Sequence, residues 1–168
     1  QQGFSHAIQI DADFQHDPTD IPIFIQQAEQ HPKALICGIP EYDETVNKLR
    51  FYARYLTHVW VWIHTRSLDI KDSMCGYRLY PVAAFMRQLQ RKKPGLYMNF
   101  DTEIIVRLHW QGITIINVPT RVRYHDDVPS NFRPWADNWS ITKMHTVLFF
   151  GMLIRIPKLM KRMWTKHR

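Results

Sequence analysis

Short apolar runs alternate along the chain with longer stretches whose apolar positions recur every three to four residues. Residues 6–10 (HAIQI) read as a strand that stops at Asp11-Ala12-Asp13. Asp17-Pro18-Thr19-Asp20 is turn chemistry and opens a helix over 21–30, which His31-Pro32 ends. Residues 33–39 (KALICGI) read as a second strand, followed by a polar loop over 40–44. Leu49, Tyr52, Ala53, Leu56, Val59, Trp60 and Ile63 fall near a 3.6-residue period and predict a helix over 45–67.

The second half continues the alternation. Residues 76–80 (GYRLY) form a third short strand closed by Pro81, and a helix follows over 82–90. After an exposed turn at 91–95, a helix over 100–110 is ended by Gly112. Residues 113–118 (ITIINV) are strand-like and run past Pro119 into 121–124. Residues 125–139 read as loop, 140–155 as helix, with Pro157 interrupting and a basic helix after it. Strands alternating with helices predict an α/β layered domain with a mixed central sheet flanked by helices.

Length and composition narrow the possibilities. One domain fits 168 residues, and 45% hydrophobic with 22% charged residues is ordinary globular composition. No apolar run reaches the roughly 20 residues of a spanning helix; the longest candidate is 146–154. Cys37 and Cys75 stand alone, which argues against a disulfide framework or a structural zinc site and fits a reducing compartment.

The net charge of +7 is unevenly placed. No acid follows Asp137, whereas Lys143, Arg155, Lys158, Lys161, Arg162, Lys166 and Arg168 do. The chain reads as a neutral body, 1–140, with a basic amphipathic tail, 141–168. Apolar 146–154 beside that cationic end and Trp164 can lie in the interface of an anionic membrane surface, or pack on the domain through Leu148, Met152 and Ile156. A nucleic-acid module would share basic and aromatic residues between body and tail; a neutral body argues for no nucleic-acid partner.

Four segments carry candidate chemistry. Asp11 and Asp13, two residues apart just past a strand, can turn toward one site, where hard carboxylate oxygens suit Mg²⁺ or Mn²⁺; turn and cap duties explain the pair equally. In Asp72-Ser-Met-Cys-Gly76-Tyr-Arg78, the glycine permits a close approach and the arginine could grip a phosphate, or simply sit on a strand edge. Asp101 and Glu103 open a helix, where they serve its dipole or, for Asp101, take a proton from a hydroxyl. Arg121 and Arg123 share a strand face, and Arg133 follows; alternating arginines can hold a phosphate group, and more often form a solvated strand face. The nine histidines show no paired ligand spacing, and only His16 stands beside the two aspartates. An Asp-x-Asp phosphatase of the haloacid-dehalogenase type is disfavoured because Gln15 occupies its Thr or Val position.

Taken in order, Asp11-Ala-Asp13-Phe-Gln15-His16-Asp-Pro18, Asp72-Ser-Met-Cys-Gly76-Tyr-Arg78, Phe100-Asp101-Thr-Glu103 and Ile115-Ile-Asn-Val-Pro119 resemble the family 2 glycosyltransferases. The likeness is greatest to the polyprenyl-phosphate sugar synthase branch. It covers residues 1–140, with the motifs spaced roughly 60, 30 and 15 residues apart. The resemblance implies a nucleotide-diphospho-sugar transferase (GT-A-like) fold and inverting transfer of a sugar from a nucleotide-diphosphate sugar to a lipid-linked or other membrane-proximal acceptor. It implies that Asp11 and Asp13 bind Mg²⁺ or Mn²⁺ and the donor diphosphate, that Gln15 supports them, and that Asp72 and Arg78 line the donor region. It implies too that Asp101 stands where many members place the catalytic base, and that Arg121, Arg123 and Arg133 would face an acceptor or its phosphate. It also implies a cytoplasmic enzyme, peripheral at the inner face of the cytoplasmic membrane.

Members of that family begin with a βαβ segment that holds the nucleotide base, and these residues lack a counterpart to it. The expectation is therefore an N-terminally truncated catalytic domain that is inactive alone, or a non-catalytic transferase-like subunit.

Overall fold

A computed structural model describes residues 3–13, 15–41, 48–122 and 133–166 of the chain. Among the described residues four strands form one sheet: β1 (His6–Gln9), β2 (Leu35–Glu41), β3 (Arg78–Pro81) and β4 (Ile115–Arg121), in the order β1-β3-β2-β4. β2 and β4 run parallel, and β3 is antiparallel to both β1 and β2. The sheet is mixed and flanked by helices, as the sequence pattern predicts. Because β3 alone is reversed, the C-terminal ends of β1, β2 and β4 and the N-terminal end of β3 share one edge. That edge is where open α/β sheets place ligands.

α1 (Ile21–Gln30) covers one face. Its start is fixed by Asp17, whose Oδ1 accepts the Thr19 backbone N–H at 2.9 Å and so caps the short 3₁₀ turn Pro18–Asp20. Phe24 and Ala28 of α1 pack on Ile36, Tyr77, Leu79 and Val118. The opposite face carries α2 (Lys48–Thr65), α3 (Val82–Arg91), α4 (Phe100–Gln111) and α5 (Pro134–Lys166).

α4 is the hub of that layer. Every residue from Thr102 to Trp110 is buried, so the helix is enclosed all round. Ile104, Ile105 and Leu108 are fully buried, and truncating Leu108 to alanine costs about 2–5 kcal/mol. Gly112 ends α4 in the left-handed region (φ 97°), returning its N–H to the carbonyls of Leu108 and His109.

Two sequence expectations fail in α5. Residues 134–139 are helical rather than loop, because Pro134 and Asp137 form the first turn and Asp137 accepts the Arg133 backbone N–H at 2.7 Å. Pro157 does not interrupt the helix, which is continuous over 33 residues. A proline there removes a backbone hydrogen bond, at a cost of about 3 kcal/mol. Met144, Leu148, Met152 and Leu159, placed on both sides of it in one buried cluster, offset that cost. Ile156, an expected packing residue, is 37% exposed, and Leu159 takes that part.

Smaller differences concern element ends. β2 continues through Pro40 and Glu41, paired with Thr120 and Arg121, where a loop is expected. Val122 is not in β4 proper but bridges antiparallel to His16. Both cysteines are free and buried, and burial pushes the Cys75 thiol up to about 11.

Candidate functional site

The site is assembled at the sheet edge just defined. Gln9 and Arg78 are cross-strand partners in the β1·β3 ladder, so their side chains leave the sheet on the same face, toward α4. Gln9 Nε2 donates to Asp101 Oδ1 at 3.0 Å, and Tyr80 Oη donates to Gln9 Oε1 at 3.1 Å. Arg78 donates to the main-chain carbonyls of Asp101 (2.6 Å) and Ser73 (2.8 Å), with its guanidinium 3.7 Å from the Asp101 carboxylate. Asp101, in the first turn of α4, is thus held from two strands while 24% of its side chain stays exposed.

The chain leaves β1 through Asp11 and Asp13. Asp13 Oδ1 accepts the Gln15 N–H at 3.1 Å, an Asx turn that bends the loop. The Asp11 carboxylate lies directly on the Gly76 backbone: a Cβ at Gly76 would overlap both of its oxygens and its Cγ. The first and second motifs therefore touch, and the close approach expected of Gly76 is toward Asp11. His16 Nε2 lies 4.0 Å from Asp11 Oδ2, and its ring packs 5.2 Å from that of Tyr77.

The electrostatics leave the cluster short of positive charge. Burial, and then the neighbouring Asp101 carboxylate, push the Asp11 carboxyl above its ordinary range, with His16 and Arg78 pulling the other way. Burial also lowers His16, against the pull of Asp11, and so favours its neutral ring. Among the described residues, the Asp101 and Asp13 carboxylates act on Asp11 in one direction, and the buried Arg78 guanidinium, which also lies 3.7 Å from Asp101, acts in the other. A divalent ion between Asp11 and Asp13 would relieve this imbalance, so the residues present fit the Mg²⁺ or Mn²⁺ that the sequence suggests. Among the described residues no group of three or more His, Cys, Asp or Glu side chains is gathered as a metal cage. Two carboxylates without a cage suit an ion that shares its ligands with a substrate diphosphate.

Asp72 and Arg78 do not line an open donor region as expected. Asp72 is 4% exposed. It receives a two-pronged contact from Arg54 (2.8 Å and 2.8 Å), lies 3.3 Å from His58 Nε2, and accepts the N–H groups of Met74 and Cys75 at 2.8 Å each. Burial alone would raise its carboxyl; the bonds from His58 and Arg54 hold it well below the ordinary range. Arg78 is wholly buried, so no phosphate reaches its guanidinium. Both are supports: Asp72 shapes the loop that presents Gly76, and Arg78 ties that loop to α4. Thr102 Oγ1 adds a further bond to the Ser73 carbonyl at 3.2 Å.

The remaining candidates are dispersed. Gln15 is half-buried and enters through its backbone. Arg121 is exposed at the end of β4, three strands from β1, although the His16–Val122 bridge brings the Asp11–Asp13 loop across to that strand. Arg123 lies outside the described residues. Arg133 is bonded to Asp137 (3.0 Å) and sits 5.2 Å over the ring of Tyr97, just ahead of α4. Glu103 is not at the site; it pairs with Arg107 at 2.6 Å. Gln9, Arg54, His58 and Tyr80 were not foreseen. Gln9 alone left a signal, as a polar residue inside an otherwise apolar strand.

No protein-family model matches the chain. It is similar to an uncharacterized protein of Methanocaldococcus jannaschii, 29% identical over 131 residues, covering 76% of this chain and 56% of that protein. The chain thus spans little more than half the length of that relative.

Proposed function

We propose that the protein is the sugar-transferring part of a metal-dependent, inverting glycosyltransferase of the family 2, GT-A-like kind, acting from a nucleotide-diphosphate sugar onto a lipid-linked or membrane-proximal acceptor. The observation that carries this reading is the convergence of three sequence-distant motifs. The Asp11 carboxylate rests on Gly76 and lies within electrostatic reach of Asp101, which Gln9 in turn holds.

In this reading Asp11 and Asp13 hold Mg²⁺ or Mn²⁺ together with the donor diphosphate. The ion, when bound, offsets the negative charge that collects on the departing diphosphate. Asp101 is positioned for the other half of the reaction. The acceptor oxygen forms a bond to the anomeric carbon as the bond from that carbon to the diphosphate breaks, with inversion. A hydroxyl acceptor passes its proton to Asp101; a phosphate acceptor needs no base, and Asp101 then only orients it. Gln9 and Arg78 fix the Asp101 carboxylate so that little reorganisation is needed during the transfer.

The tail fits a membrane-proximal acceptor. Among the described residues no helix is long and apolar enough to cross a membrane. α5 nonetheless exposes Phe150 (60%), Ile154 (81%) and Trp164 (79%) beside its lysines and arginines, a composition suited to lying in an anionic interface at the inner face of the cytoplasmic membrane. Residues 141–166 thus combine a buried face with a face free to meet lipid.

The test is calorimetric titration of the full-length protein with UDP, GDP, ADP, CDP and dTDP, with Mn²⁺ or with EDTA. A turnover assay follows, with the matching nucleotide sugars and, in vesicles, either polyprenyl phosphate or a hydroxyl-bearing glycolipid as acceptor. The reading predicts metal-dependent binding of one nucleotide and release of that diphosphate, lowered about 100-fold or more by Asp101→Asn when the acceptor is a hydroxyl. Metal-dependent binding without release would mark a non-catalytic subunit. No metal-dependent binding of any of the five would contradict the proposal.

A further inference from the structure

A second charged centre lies away from the carboxylates. A cavity of about 540 Å³ opens between α3, the end of α4, and α5. It is reached about 13 Å further along α4 than Asp101, taking 1.5 Å per residue to Trp110. Its lining includes Arg87, Arg91, Lys92, Arg107, Arg155 and Lys158, and among the described residues it includes no carboxylate. Glu103 stands behind Arg107 and is fully engaged there. Its Oε1 accepts from Arg107 at 2.6 Å and 2.8 Å, and its Oε2 accepts the Gly95 N–H at 2.9 Å.

The cavity floor is built rather than incidental. Gln111 Nε2 donates to Gln88 Oε1 at 2.7 Å, and Gln88 Nε2 donates to the Lys92 carbonyl at 2.9 Å, locking α3 to α4. Arg155 lies 4.6 Å over the Trp110 ring and donates to the Gly151 carbonyl at 2.7 Å. Gly151 lets α5 approach this closely, since a Cβ there would come within 2.9 Å of the Trp110 ring. Three helices thus gather like charge around one concave surface, an arrangement that favours the entry of an anion.

We propose that this cavity is a binding site for a compact polyanion carrying two or more phosphate charges. Arginine forks match phosphate oxygens in pairs, and the volume falls in the range of small-ligand pockets. Arg155 already covers the Trp110 ring, so the cavity reads charge and not a nucleobase. The phosphates come either from a soluble polyphosphate or from lipid headgroups beside the exposed Ile154 of the same helix.

Inorganic pyrophosphate is the probe, titrated calorimetrically into the full-length protein in EDTA, which keeps binding at Asp11 and Asp13 out of the measurement. Arg87, Arg91, Lys33 and Lys143 are all exposed, so charge reversals there leave the core intact. The expected result is saturable binding, weakened about tenfold or more by Arg87→Glu/Arg91→Glu. The control Lys33→Glu/Lys143→Glu, with the same change in net charge, weakens it less than about threefold. A second arm uses vesicles of phosphatidylcholine with or without phosphatidylglycerol. Pyrophosphate displacing the protein from anionic vesicles assigns the phosphates to lipid; pyrophosphate binding without displacement assigns them to a soluble ligand. Equal weakening by both double variants overturns the site. So does the absence of saturable pyrophosphate binding together with vesicle binding that Arg87→Glu/Arg91→Glu leaves unchanged.

Discussion

Replacing Gly76 by alanine separates the site's chemistry from the stability of the fold. The three atoms nearest an added Cβ all belong to the Asp11 carboxyl group. That side chain is 47% exposed and can swing into solvent. Gly76 is not among the residues with positive φ, so alanine is tolerated by the backbone. Restricting the unfolded chain gains about 0.4–1 kcal/mol, and driving Asp11 off its rotamer costs about 0.5–1.5 kcal/mol. Net stability should therefore change by less than about 1 kcal/mol. Donor affinity should not be spared. If Asp11 and Asp13 hold a divalent ion as proposed, one of its two carboxylates is withdrawn, and with allowance for its half exposure the loss is on the order of tenfold to a hundredfold in Kd. Calorimetry with Mn²⁺ and the preferred nucleoside diphosphate measures the affinity, and urea unfolding measures the stability. The Asp11→Asn background completes a double-mutant cycle. In it, Gly76→Ala should cost little more, because both changes act on the same carboxylate. Unchanged affinity for Gly76→Ala, or losses that simply add in the double variant, would refute the reasoning.

Two further expectations concern the scaffold. His64 Nε2 and His145 Nδ1 lie 3.1 Å apart between α2 and α5. Burial, joined at His64 by the neighbouring His145, lowers both to about 4 from an unfolded value near 6.5. Their contribution is complete above pH 6.5 and is lost as pH falls toward 4, because the unfolded chain takes up protons first. After discounting for partial exposure, urea unfolding at pH 7 and 4.5 should show the wild type losing on the order of 1–2 kcal/mol more than His145→Gln; equal losses would show that the pair does not titrate with unfolding. Asp72→Ala leaves Arg54 and His58 facing a gap and strands two backbone N–H groups, at a cost of about 3–5 kcal/mol. A urea midpoint change equivalent to less than about 1 kcal/mol would show that Asp72 is not the anchor of its loop.

The layer order of this domain was legible because each strand is a short apolar run and each early helix has an end signal. Gly112 and Pro32 both stop their elements where the pattern says. The start of α5 was missed although Pro134 and Asp137 form a normal first helical turn, since the aromatic and polar surroundings masked it. Pro157 misled because local propensity counts its missing hydrogen bond, whereas four buried side chains, three before it and one after, decide the outcome. Asp11, Gly76 and Asp101, which the structure brings close together, were singled out by residue type and order. The places of Asp72 and Arg78 were not, because burial depends on which helices pack over a loop. Arg54 and His58, which contact the Asp72 carboxylate from α2, carry no local mark of that duty in the sequence.

The central claim is that Asp11 and Asp13 together hold a divalent ion for a diphosphate donor. Electron paramagnetic resonance of Mn²⁺ titrated with the full-length protein reads this directly, because the signal of the free ion falls as it binds. The account predicts weak binding of Mn²⁺ alone and tighter binding once nucleoside diphosphate is added. It predicts loss of that gain in Asp11→Asn/Asp13→Asn, with urea unfolding largely unchanged. Mn²⁺ and nucleotide binding that persist undiminished in the folded double variant would contradict it.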